Sequence, residues 1–483
     1  MATAQDVGAR IDFGANYRMT IDGELTTTPG TLPAYNPATK AVIAQVPEAT
    51  REQLDRAVDA ASRAYRTWSG APEDQRRQAV LAMADLLERY AEDFMTLLTR
   101  EQGKPRAGSE WEVMGSVVWL REIAGQVLPE EVLLDDDERR VVTRHTPLGV
   151  VGAITPWNFP ILLAIWKIAP ALVTGNTMVL KPSPFTPLCT LKLGELFNEV
   201  LPPGVLNVLS GSDDLGKWIT THPKIAKVAF TGHTDTGKHV MQSAAGNLKR
   251  LTLELGGNDP AIVLPDVDPA DVAPKLFWCA FQNNAQFCNS AKRVYIHDAI
   301  YDQVRDAMVD YAKTVVTGDG SEPGTDLGPI QNEPQYEKVK EYFADCHANG
   351  HRFALGGEID ESAEGWFVPV AIVDDPPEDS RIVREEPFGP ILPLLRWSDE
   401  EDVIERANDT PYGLGGSVWG ADLEAAQRIA RRIDAGTVWI NEAHQYSPHQ
   451  AFGGHKQSGL GCENGIDGLA EYTNWQTITL LKG

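Results

Sequence analysis

Basic residues are scarce in this chain compared with acidic ones. Its 483 residues include 43 lysines and arginines against 68 aspartates and glutamates, so the formal net charge at pH 7 is −25. Such a charge repels phosphate backbones and anionic lipid headgroups. The composition therefore argues against nucleic acid or a membrane surface as a partner.

Long apolar runs and a targeting leader are also lacking. The most apolar segment, 159–173, contains Lys167 and is shorter than the roughly 20 residues that cross a bilayer. The first 16 residues have no basic region that leads into an apolar stretch. We therefore expect a cytoplasmic protein.

Cysteine is rare, and its five positions are odd in number and far apart. Reduced thiols are expected, and one of them is a candidate nucleophile. Cys346 lies near His347 and His351, but no acidic partner accompanies them, so we interpret this group as a helix end and predict no metal site. The cysteines are Cys189, Cys279, Cys288, Cys346 and Cys462.

The chain has no repeat of fixed period, and its length suits two or three domains. Apolar residues at helical spacing in 50–102 predict two amphipathic helices. After them, strand-like runs alternate with helical stretches that start near residues 160, 190, 215 and 238, which predicts a parallel sheet that binds nucleotides at the carboxyl ends of its strands. The predicted strands are 150–154, 177–181, 204–210 and 228–231.

A second alternating block begins after residue 257 and predicts a second α/β domain. The charged segment 131–146 and the strand-like 477–481 lie outside both blocks. We expect them to form an arm that pairs with another subunit, because unpaired strand edges are usually covered. The second block has predicted strands at 261–264, 292–296, 416–419 and 436–440, and predicted helices at 269–281 and 297–314.

Cys288 stands among polar residues that include Asn283, Asn284, Gln286 and Asn289. A free cysteine is most often a buried core residue. Neighbours this polar are unusual in a core strand, and a partly exposed thiol near hydrogen-bond donors is the kind that ionises and attacks carbonyl groups. We therefore interpret Cys288 as a nucleophile.

Glu254 follows Leu251 and Leu253 and precedes Leu255 and a glycine pair. A lone glutamate is usually a solvated surface group. Apolar neighbours favour burial here, and burial raises a carboxyl pKa toward the value that a general base needs. Glu254 is therefore a candidate activator of water.

Two turns follow predicted strands. Asn158, in the run 155–160, is explained most simply by a rigid turn, but an amide at a strand's carboxyl end can stabilise an oxyanion by about 3 kcal/mol. The run 230–237 contains two glycines, which let backbone N–H groups approach a pyrophosphate closely. Each signal is weak by itself.

Together these runs resemble the aldehyde dehydrogenase superfamily over nearly the whole chain. The order of motifs carries the resemblance: Asn158, Lys181, 230–232, Glu254, Cys288, 386–390, Asn441 and 452–454.

The resemblance implies an α/β fold in several parts. It implies a Rossmann-like cofactor domain in 1–128 and 147–255, and a catalytic domain in 256–448. A small β oligomerisation arm in 129–146 and 470–483 and a return segment in 449–469 complete the fold, and a homodimer or homotetramer is expected.

It also implies residue roles in an NAD-dependent oxidation, with NADP as a second candidate cofactor and no catalytic metal. Cys288 would attack the aldehyde, Asn158 and the backbone N–H of Cys288 would hold the oxyanion, and Glu254 would activate the hydrolytic water, with Lys167 and Glu463 as proton carriers. The implied cofactor residues are Ile154, Thr155, Pro156, Trp157, Lys181, Ser183, Pro184, Gly216, Phe230, Thr231, Gly232, His233, Thr236, Leu255, Gly256, Glu386 and Phe388. The implied aldehyde tunnel comprises Phe159, Leu162, Trp166, Phe287, Asn289 and Phe452, with 444–449 at its mouth.

The sequence departs from the family pattern at four positions. Pro184 replaces a glutamate that binds ribose hydroxyls in NAD-preferring members, which weakens the exclusion of NADP. His233 stands where serine is common, and Ala285 stands where glycine is usual. Cys462 replaces a common arginine and leaves a local charge contact in doubt.

Three alternatives remain beside the hydrolytic dehydrogenase. The first is a coenzyme A-acylating semialdehyde dehydrogenase, against which Glu254 argues. The second is a catalytically silent structural homologue, against which intact Cys288, Glu254 and Asn158 argue. The third, a thiol esterase, would be a side activity. The aromatic tunnel favours an apolar or aromatic aldehyde, although aromatic residues also simply pack cores.

Overall fold

The computed structural model describes residues 11–483. The start of the predicted cofactor domain and most of residues 1–16, in which a targeting leader was sought, lie outside the described residues. The strands are β1 (Met19–Ile21), β2 (Glu24–Thr26), β3 (Thr31–Tyr35), β4 (Val42–Pro47), β5 (Glu131–Asp135), β6 (Arg139–Pro147), β7 (Val150–Ile154), β8 (Thr177–Lys181), β9 (Leu206–Val208), β10 (Ile225–Thr231), β11 (Arg250–Glu254), β12 (Asp259–Val263), β13 (Ala291–His297), β14 (Phe353–Leu355), β15 (Ala371–Asp374), β16 (Ile391–Trp397), β17 (Gly415–Trp419), β18 (Thr437–Ile440), β19 (Gly459–Leu460) and β20 (Thr473–Leu481).

The helices cover both faces of the two large sheets. They are α1 (Arg51–Trp68), α2 (Glu73–Arg89), α3 (Ala91–Gln102), α4 (Arg106–Gly125), α5 (Leu162–Val173), α6 (Leu188–Phe197), α7 (Asp213–Thr221), α8 (Thr234–Ala244), α9 (Pro269–Phe281), α10 (Tyr301–Ala312), α11 (Glu333–Ala348), α12 (Arg381–Arg384), α13 (Glu400–Asn408), α14 (Leu423–Ala430) and α15 (Gly465–Ala470).

The first large sheet has the order β19-β11-β10-β7-β8-β9-β1-β2. Its five central strands, from β11 to β9, run parallel, and antiparallel β19 and β1 flank them. Every residue of β8 is buried, which is typical of a strand with helices on both faces. The predicted parallel sheet is thus confirmed, and the short antiparallel additions were not predicted.

The second large sheet has the order β14-β15-β16-β13-β12-β17-β18 and is parallel except for β14. It contains the four strands predicted after residue 257, and α9 has the predicted bounds. The chain is therefore an α/β protein, as expected. Since both sheets are parallel inside, the carboxyl ends of their strands supply the edges at which a site can form.

The sequence prediction was wrong about the number of helices in 50–102. Three helices lie there, and α4 follows them. Thr50 caps α1 in a reciprocal box with Gln53, but the break between α2 and α3 falls at Tyr90, where no glycine or proline signals it. The predicted helix starts near 160, 190 and 215 are each off by two residues, whereas α8 starts four residues before the predicted position 238. His297 still belongs to β13, so the helix predicted there starts later.

A third, three-stranded antiparallel sheet joins β20, β6 and β5 outside the large sheets. It contains the two segments predicted to form an arm. Large apolar side chains on it are exposed, among them Leu133, Trp475, Leu480 and Leu481. Within residues 11–483, none of the helices combines the length and apolar character that a membrane crossing requires.

Asn176 ties the start of the first sheet to the arm. Its buried amide donates to the carbonyl of Tyr472 at 2.8 Å and to the hydroxyl of Thr174 at 2.9 Å. The amide oxygen accepts the backbone N–H of Gly149 at 2.9 Å.

We expect Asn176→Ala to lower the free energy of unfolding by about 2–4 kcal/mol, because a buried N–H and carbonyl lose their partner. Denaturant titration measures this. Exposed Asn349, with a single bond to the carbonyl of Asp345, is the control, and Asn349→Ala should cost less than about 0.5 kcal/mol. An equal loss in both variants would contradict the assignment.

Candidate active site

The two large sheets meet through the short segment between β11 and β12. Glu254 ends β11, and Asp259 begins β12. A Cβ on Gly257 would lie 2.7 Å from the carbonyl oxygen of Cys288. Only a glycine therefore allows this segment to pass so close to the loop that carries the candidate nucleophile.

The loop before Cys288 has an unusual backbone. Asn283, Asn284 and Ala285 all have φ angles in the left-handed region, at 53°, 55° and 58°. Asparagine tolerates this region, but alanine enters it with strain of about 1 kcal/mol. The left-handed backbone explains why the resembled family usually has glycine at the position of Ala285, and alanine here bears that strain.

Cys288 lies between two pockets. The first contains all six residues of the predicted aldehyde tunnel together with Cys288 and Glu254. Six aromatic residues contribute to its walls, and the rings of Phe159 and Phe287 lie 4.6 Å apart. The lining residues are Trp111, Phe159, Leu162, Leu163, Trp166, Thr231, Glu254, Leu255, Phe287, Cys288, Asn289, Tyr446 and Phe452.

The second pocket reaches Cys288 from the side of the predicted nicotinamide residues. The rings of Trp157 and Phe388 meet edge to face at 5.3 Å across it. Its lining residues are Pro156, Trp157, Asn158, Leu163, Thr231, Gly232, His233, Leu255, Gly256, Cys288, Gln335, Lys338, Glu386 and Phe388.

The predicted adenosine end lies at the carboxyl ends of β7 and β8. A Cβ on Gly216 would meet Ile154 and Lys181 at ordinary contact distances of 3.8 and 4.0 Å, so these three residues lie close together. Buried Lys181 donates to the carbonyl of Pro182 at 3.2 Å, and burial lowers its pKa to about 8. These residues fit a ribose, because the ammonium has further donors to offer.

The remaining predicted cofactor residues differ in accessibility. Thr155 and Ser183 are buried just beyond the ends of β7 and β8, and the Thr155 hydroxyl has no partner among the described residues. Phe230 is a core residue whose ring packs under Gly232. Thr236 is exposed on the first turn of α8 and does not line either pocket at Cys288.

The Cys288 thiol is half-buried. Burial raises its pKa to about 12, helped by the carboxylates of Glu386, Asp259 and Glu254, while Lys292 acts in the opposite direction. The sequence-based expectation of a thiol that ionises readily is therefore wrong for the free protein. The thiol is protonated at neutral pH, and the reaction requires a group that removes its proton.

Glu254 is buried, and neither of its carboxyl oxygens has a hydrogen-bond partner among the described residues. Burial raises its pKa well above the ordinary value, Glu463 adds to the rise, and Lys167 opposes it. The predicted direction of the shift is confirmed. A carboxyl group with free oxygens in the same pocket as Cys288 can take a proton from the thiol or from water.

Lys167 and Glu463 form a fully buried ion pair at 2.7 Å. Lys167 also donates to the hydroxyl of Thr231 at 2.8 Å, and one oxygen of Glu463 has no partner among the described residues. The structure thus brings both predicted proton carriers behind Glu254, where they influence its charge.

Asn158 is held through its side chain and through its backbone. Its side-chain amide donates to the carbonyl of Gln286 at 3.0 Å, and its backbone carbonyl accepts from Lys104 at 2.9 Å. The amide has a second N–H, and the residue lines the pocket that contains Cys288. This arrangement can present one donor to an oxyanion on the Cys288 side.

Sequence reasoning missed several residues of the site. Trp111 lies on α4, and the helical spacing of Val113, Val117 and Leu120 would have revealed that helix. Lys104 and Lys292 carried no local signal, because a buried lysine is unusual and only the packed structure shows its partners.

The match to known proteins covers almost the entire chain. The sequence model of the Aldehyde dehydrogenase family matches residues 25–478. The chain belongs to the aldehyde dehydrogenase family. It is 39% identical to phenylacetaldehyde dehydrogenase of Pseudomonas fluorescens, over 93% of this chain and 92% of that protein.

Solved structures of family members agree with this assignment. The NAD+ complex of aldehyde dehydrogenase from Bacillus cereus matches with a TM-score of 0.94 and 37% identity, over 96% of each chain. Betaine aldehyde dehydrogenase from Staphylococcus aureus in complex with NAD+ matches with a TM-score of 0.93 and 34% identity, over 96% of this chain and 95% of that one. The chain is therefore an aldehyde-oxidising oxidoreductase, and use of NAD is supported.

The raised pKa of Glu254 predicts a pH-dependent stability. Between the ordinary pKa of 4.5 and the raised value, the folded protein keeps a proton that the unfolded chain releases, so rising pH destabilises the fold. Glu254→Gln removes this effect. We expect the variant to gain stability over the wild type by roughly 1.4 kcal/mol for each pH unit above 5, up to the folded pKa.

Denaturant titrations of both proteins between pH 5 and 8 measure this difference. Exposed Glu52, whose pKa is lowered by hydrogen bonds from its own backbone and from Thr50, is the control. Glu52→Gln should give a small difference of the opposite sign. A pH-independent difference for Glu254→Gln would show that the carboxyl group is ionised in the folded protein.

Proposed function

We propose that this protein oxidises an aldehyde to a carboxylate through a thioester on Cys288, with NAD as hydride acceptor. The observation that carries the proposal is the position of Cys288, where an aromatic tunnel and a second pocket meet beside Asn158 and Glu254. One side admits an aldehyde, and the other admits the nicotinamide end of a dinucleotide.

In the first half of the reaction, Glu254 in its ionised form takes the proton of the Cys288 thiol, and the sulfur forms a bond to the aldehyde carbon. The negative charge that develops on the aldehyde oxygen is stabilised by the free N–H of Asn158 and by the backbone N–H of Cys288. The bound nicotinamide supplies the acceptor for the hydride that this oxyanion expels, and a thioester on Cys288 remains.

In the second half, Glu254 takes a proton from a water molecule that attacks the thioester carbon. The carbon–sulfur bond breaks, the acid leaves, and Cys288 is restored. We propose that Lys167 and Glu463, whose charges act on Glu254, carry the proton onward. A base in the tunnel beside Cys288 favours hydrolysis over transfer of the acyl group to coenzyme A.

Cys288→Ala should abolish aldehyde oxidation, because no other group can form the thioester, while folding and NAD binding stay near wild type. Reduced-nicotinamide absorbance, with protein fluorescence as the binding readout, measures both effects. Cys279→Ala is the matched control, since this buried thiol lies on α9 outside both pockets. Full activity in Cys288→Ala would overturn the mechanism.

Glu254→Gln separates the two halves of the same reaction. We expect a slowed burst of reduced cofactor, because the amide cannot take the thiol proton, and then turnover slowed further, by about 10²–10⁴-fold, because it cannot take a proton from water either. Mass spectrometry after acid quenching should then show the acyl group on Cys288. If no burst and no acyl enzyme form, Glu254 acts mainly as the base for the thiol.

We further propose an apolar or aromatic aldehyde as substrate. The tunnel is lined by six aromatic rings in addition to leucines, and its lining within residues 11–483 includes no lysine or arginine that could pair with a substrate carboxylate. The phenylacetaldehyde dehydrogenase relative supports this choice, whereas the betaine aldehyde dehydrogenase relative makes a cationic aldehyde the main competitor.

A panel of aldehydes tests the substrate class. We expect kcat/KM for phenylacetaldehyde to exceed that for succinate semialdehyde by at least about a hundredfold, because the tunnel would bury an unpaired carboxylate. Betaine aldehyde should also be poor. A preference for either charged aldehyde would refute the proposed class.

We propose NAD as the preferred acceptor, with measurable use of NADP. Pro184 lines a groove together with Ser212, Asp213 and Asp214. Asp213 is close enough to act electrostatically on Lys181. A carboxylate on α7 therefore stands in part for the glutamate that Pro184 replaces, and it repels a 2′-phosphate.

Asp213→Asn should lower the ratio of kcat/KM for NAD to that for NADP by about tenfold. Pro184→Glu should raise the same ratio, by a factor that corresponds to about 1–2 kcal/mol. Dissociation constants for both cofactors provide a readout independent of turnover. Asp214, already paired with Lys217 at 3.0 Å, is the control residue, and Asp214→Asn should shift the ratio less. A wild-type preference for NADP would contradict this proposal.

The exposed apolar residues of the three-stranded sheet support a homodimer or homotetramer, which we propose as the working assembly of a cytoplasmic enzyme. The division of the chain into a cofactor domain, a catalytic domain and an arm, with the boundaries predicted from the sequence, is also part of this proposal.

A further inference from the structure

Lys292 occupies a position that the aldehyde oxidation mechanism does not use. It lies at the second residue of β13, four residues after Cys288, and its side chain is only 4% exposed. A buried ammonium group is strongly unfavourable unless hydrogen bonds and an opposite charge compensate for lost water. Its partners therefore show what the residue holds together.

The Lys292 ammonium binds the nucleophile loop from inside the protein. It donates to the carbonyl oxygen of Cys288 at 2.5 Å and to that of Phe287 at 3.1 Å, and it approaches that of Ser290 at 3.4 Å. A compact ammonium can satisfy several carbonyls at once, whereas a planar guanidinium cannot adopt this arrangement. The loop that carries the thiol is thus wrapped around one cation.

The same ammonium also reaches the second pocket. It lies 3.4 Å from Oε1 of Glu386, and that oxygen also accepts the backbone N–H of Gly257 at 3.1 Å. Two donors therefore hold Oε1, and the other oxygen of Glu386 lies against Gly256 in the pocket proposed for the nicotinamide end.

We propose that Lys292 is a positioning residue that clamps the backbone of the nucleophile loop and joins it to Glu386, so that one buried charge orients both the thiol and the cofactor-binding carboxylate. This proposal rests on the proposed function, since it takes Cys288 as the nucleophile.

The charges around the thiol make this role measurable. Glu254 faces Cys288 from β11, Asp259 faces it from β12, and Glu386 faces it from the segment before β16, and each of them raises the thiol pKa. Lys292 lowers it. Tyr446 and His444 face the same region from the loop before Phe452. Burial raises the pKa of Tyr446, and the Cys288 charge adds to the rise. Burial lowers the pKa of His444, and Lys292 adds to the decrease.

Alkylation of Cys288 by iodoacetamide, followed by mass spectrometry of its peptide across pH 7–10, reports the thiol without requiring turnover. We expect Lys292→Met to slow alkylation about tenfold at each pH, which corresponds to one pKa unit. Lys292→Arg should restore part of the rate, because it keeps the charge but not the geometry. NAD binding, followed by protein fluorescence, should weaken in Lys292→Met because Glu386 loses one of its two donors.

Lys192→Met is the matched control. Lys192 is equally buried and is paired with Glu195 at 2.9 Å on α6, so its loss tests the effect of removing any buried lysine. Glu386→Gln gives a test of opposite sign, since it removes a charge that raises the thiol pKa and should speed alkylation several-fold. Glu386→Gln also tests the proposed link between Lys292, Glu386 and the thiol if Lys292→Met fails to fold.

The proposal is overturned if Lys292→Met alkylates like the wild type, if Lys192→Met slows alkylation equally, or if Glu386→Gln slows it. These outcomes differ from failure of the proposed function, which would appear as aldehyde oxidation by Cys288→Ala.

Discussion

The close approach of Gly257 to the carbonyl of Cys288 is the contact on which the site depends. It places the link between the two parallel sheets directly against the nucleophile loop. The link is bound on every side: Leu255 donates its N–H to the carbonyl of Ser458, and the side chain of Asn258 donates to the carbonyl of Val383. Because this backbone cannot move independently, Glu254 at one end and Asp259 at the other stay in register with Cys288.

The chemistry proposed here relies on carboxyl groups that the protein has removed from water. Burial raises the pKa of Asp259 to about 7 and that of Glu254 further above its ordinary range. An exposed carboxylate would be too weak a base for a thiol, whereas a desolvated one gains basicity at the expense of folding stability. Within the buried pair nearby, Glu463 adds to the rise in the pKa of Glu254, and Lys167 opposes it.

The sequence was sufficient to predict the large features. Parallel strands such as β7 and β8 read as short continuous apolar runs, and the order of motifs around Asn158, Glu254 and Cys288 identified the family. The bounds of α9 were predicted to the residue, and in the structure Asp268 caps this helix and Pro269 begins it.

What could not be predicted depends on contacts between distant segments. The left-handed backbone at Ala285 has no local cause, because alanine normally avoids it. Lys292 reads as an ordinary charged residue until the fold brings Glu386 within 3.4 Å of it. The protonated state of Cys288 likewise follows from burial and surrounding carboxylates, and its polar neighbours in sequence suggested the reverse.

The two pockets at Cys288 share only a thin wall, which consists of Leu163, Thr231, Leu255 and Cys288 itself. Residues such as Trp111 and Phe452 face one pocket only, and Trp157 and Phe388 face the other. Substitutions on one side therefore leave the opposite surface intact. If one pocket holds the aldehyde and the other the cofactor, as proposed, a lineage can acquire a new substrate by changes in one wall while the cofactor pocket stays unchanged.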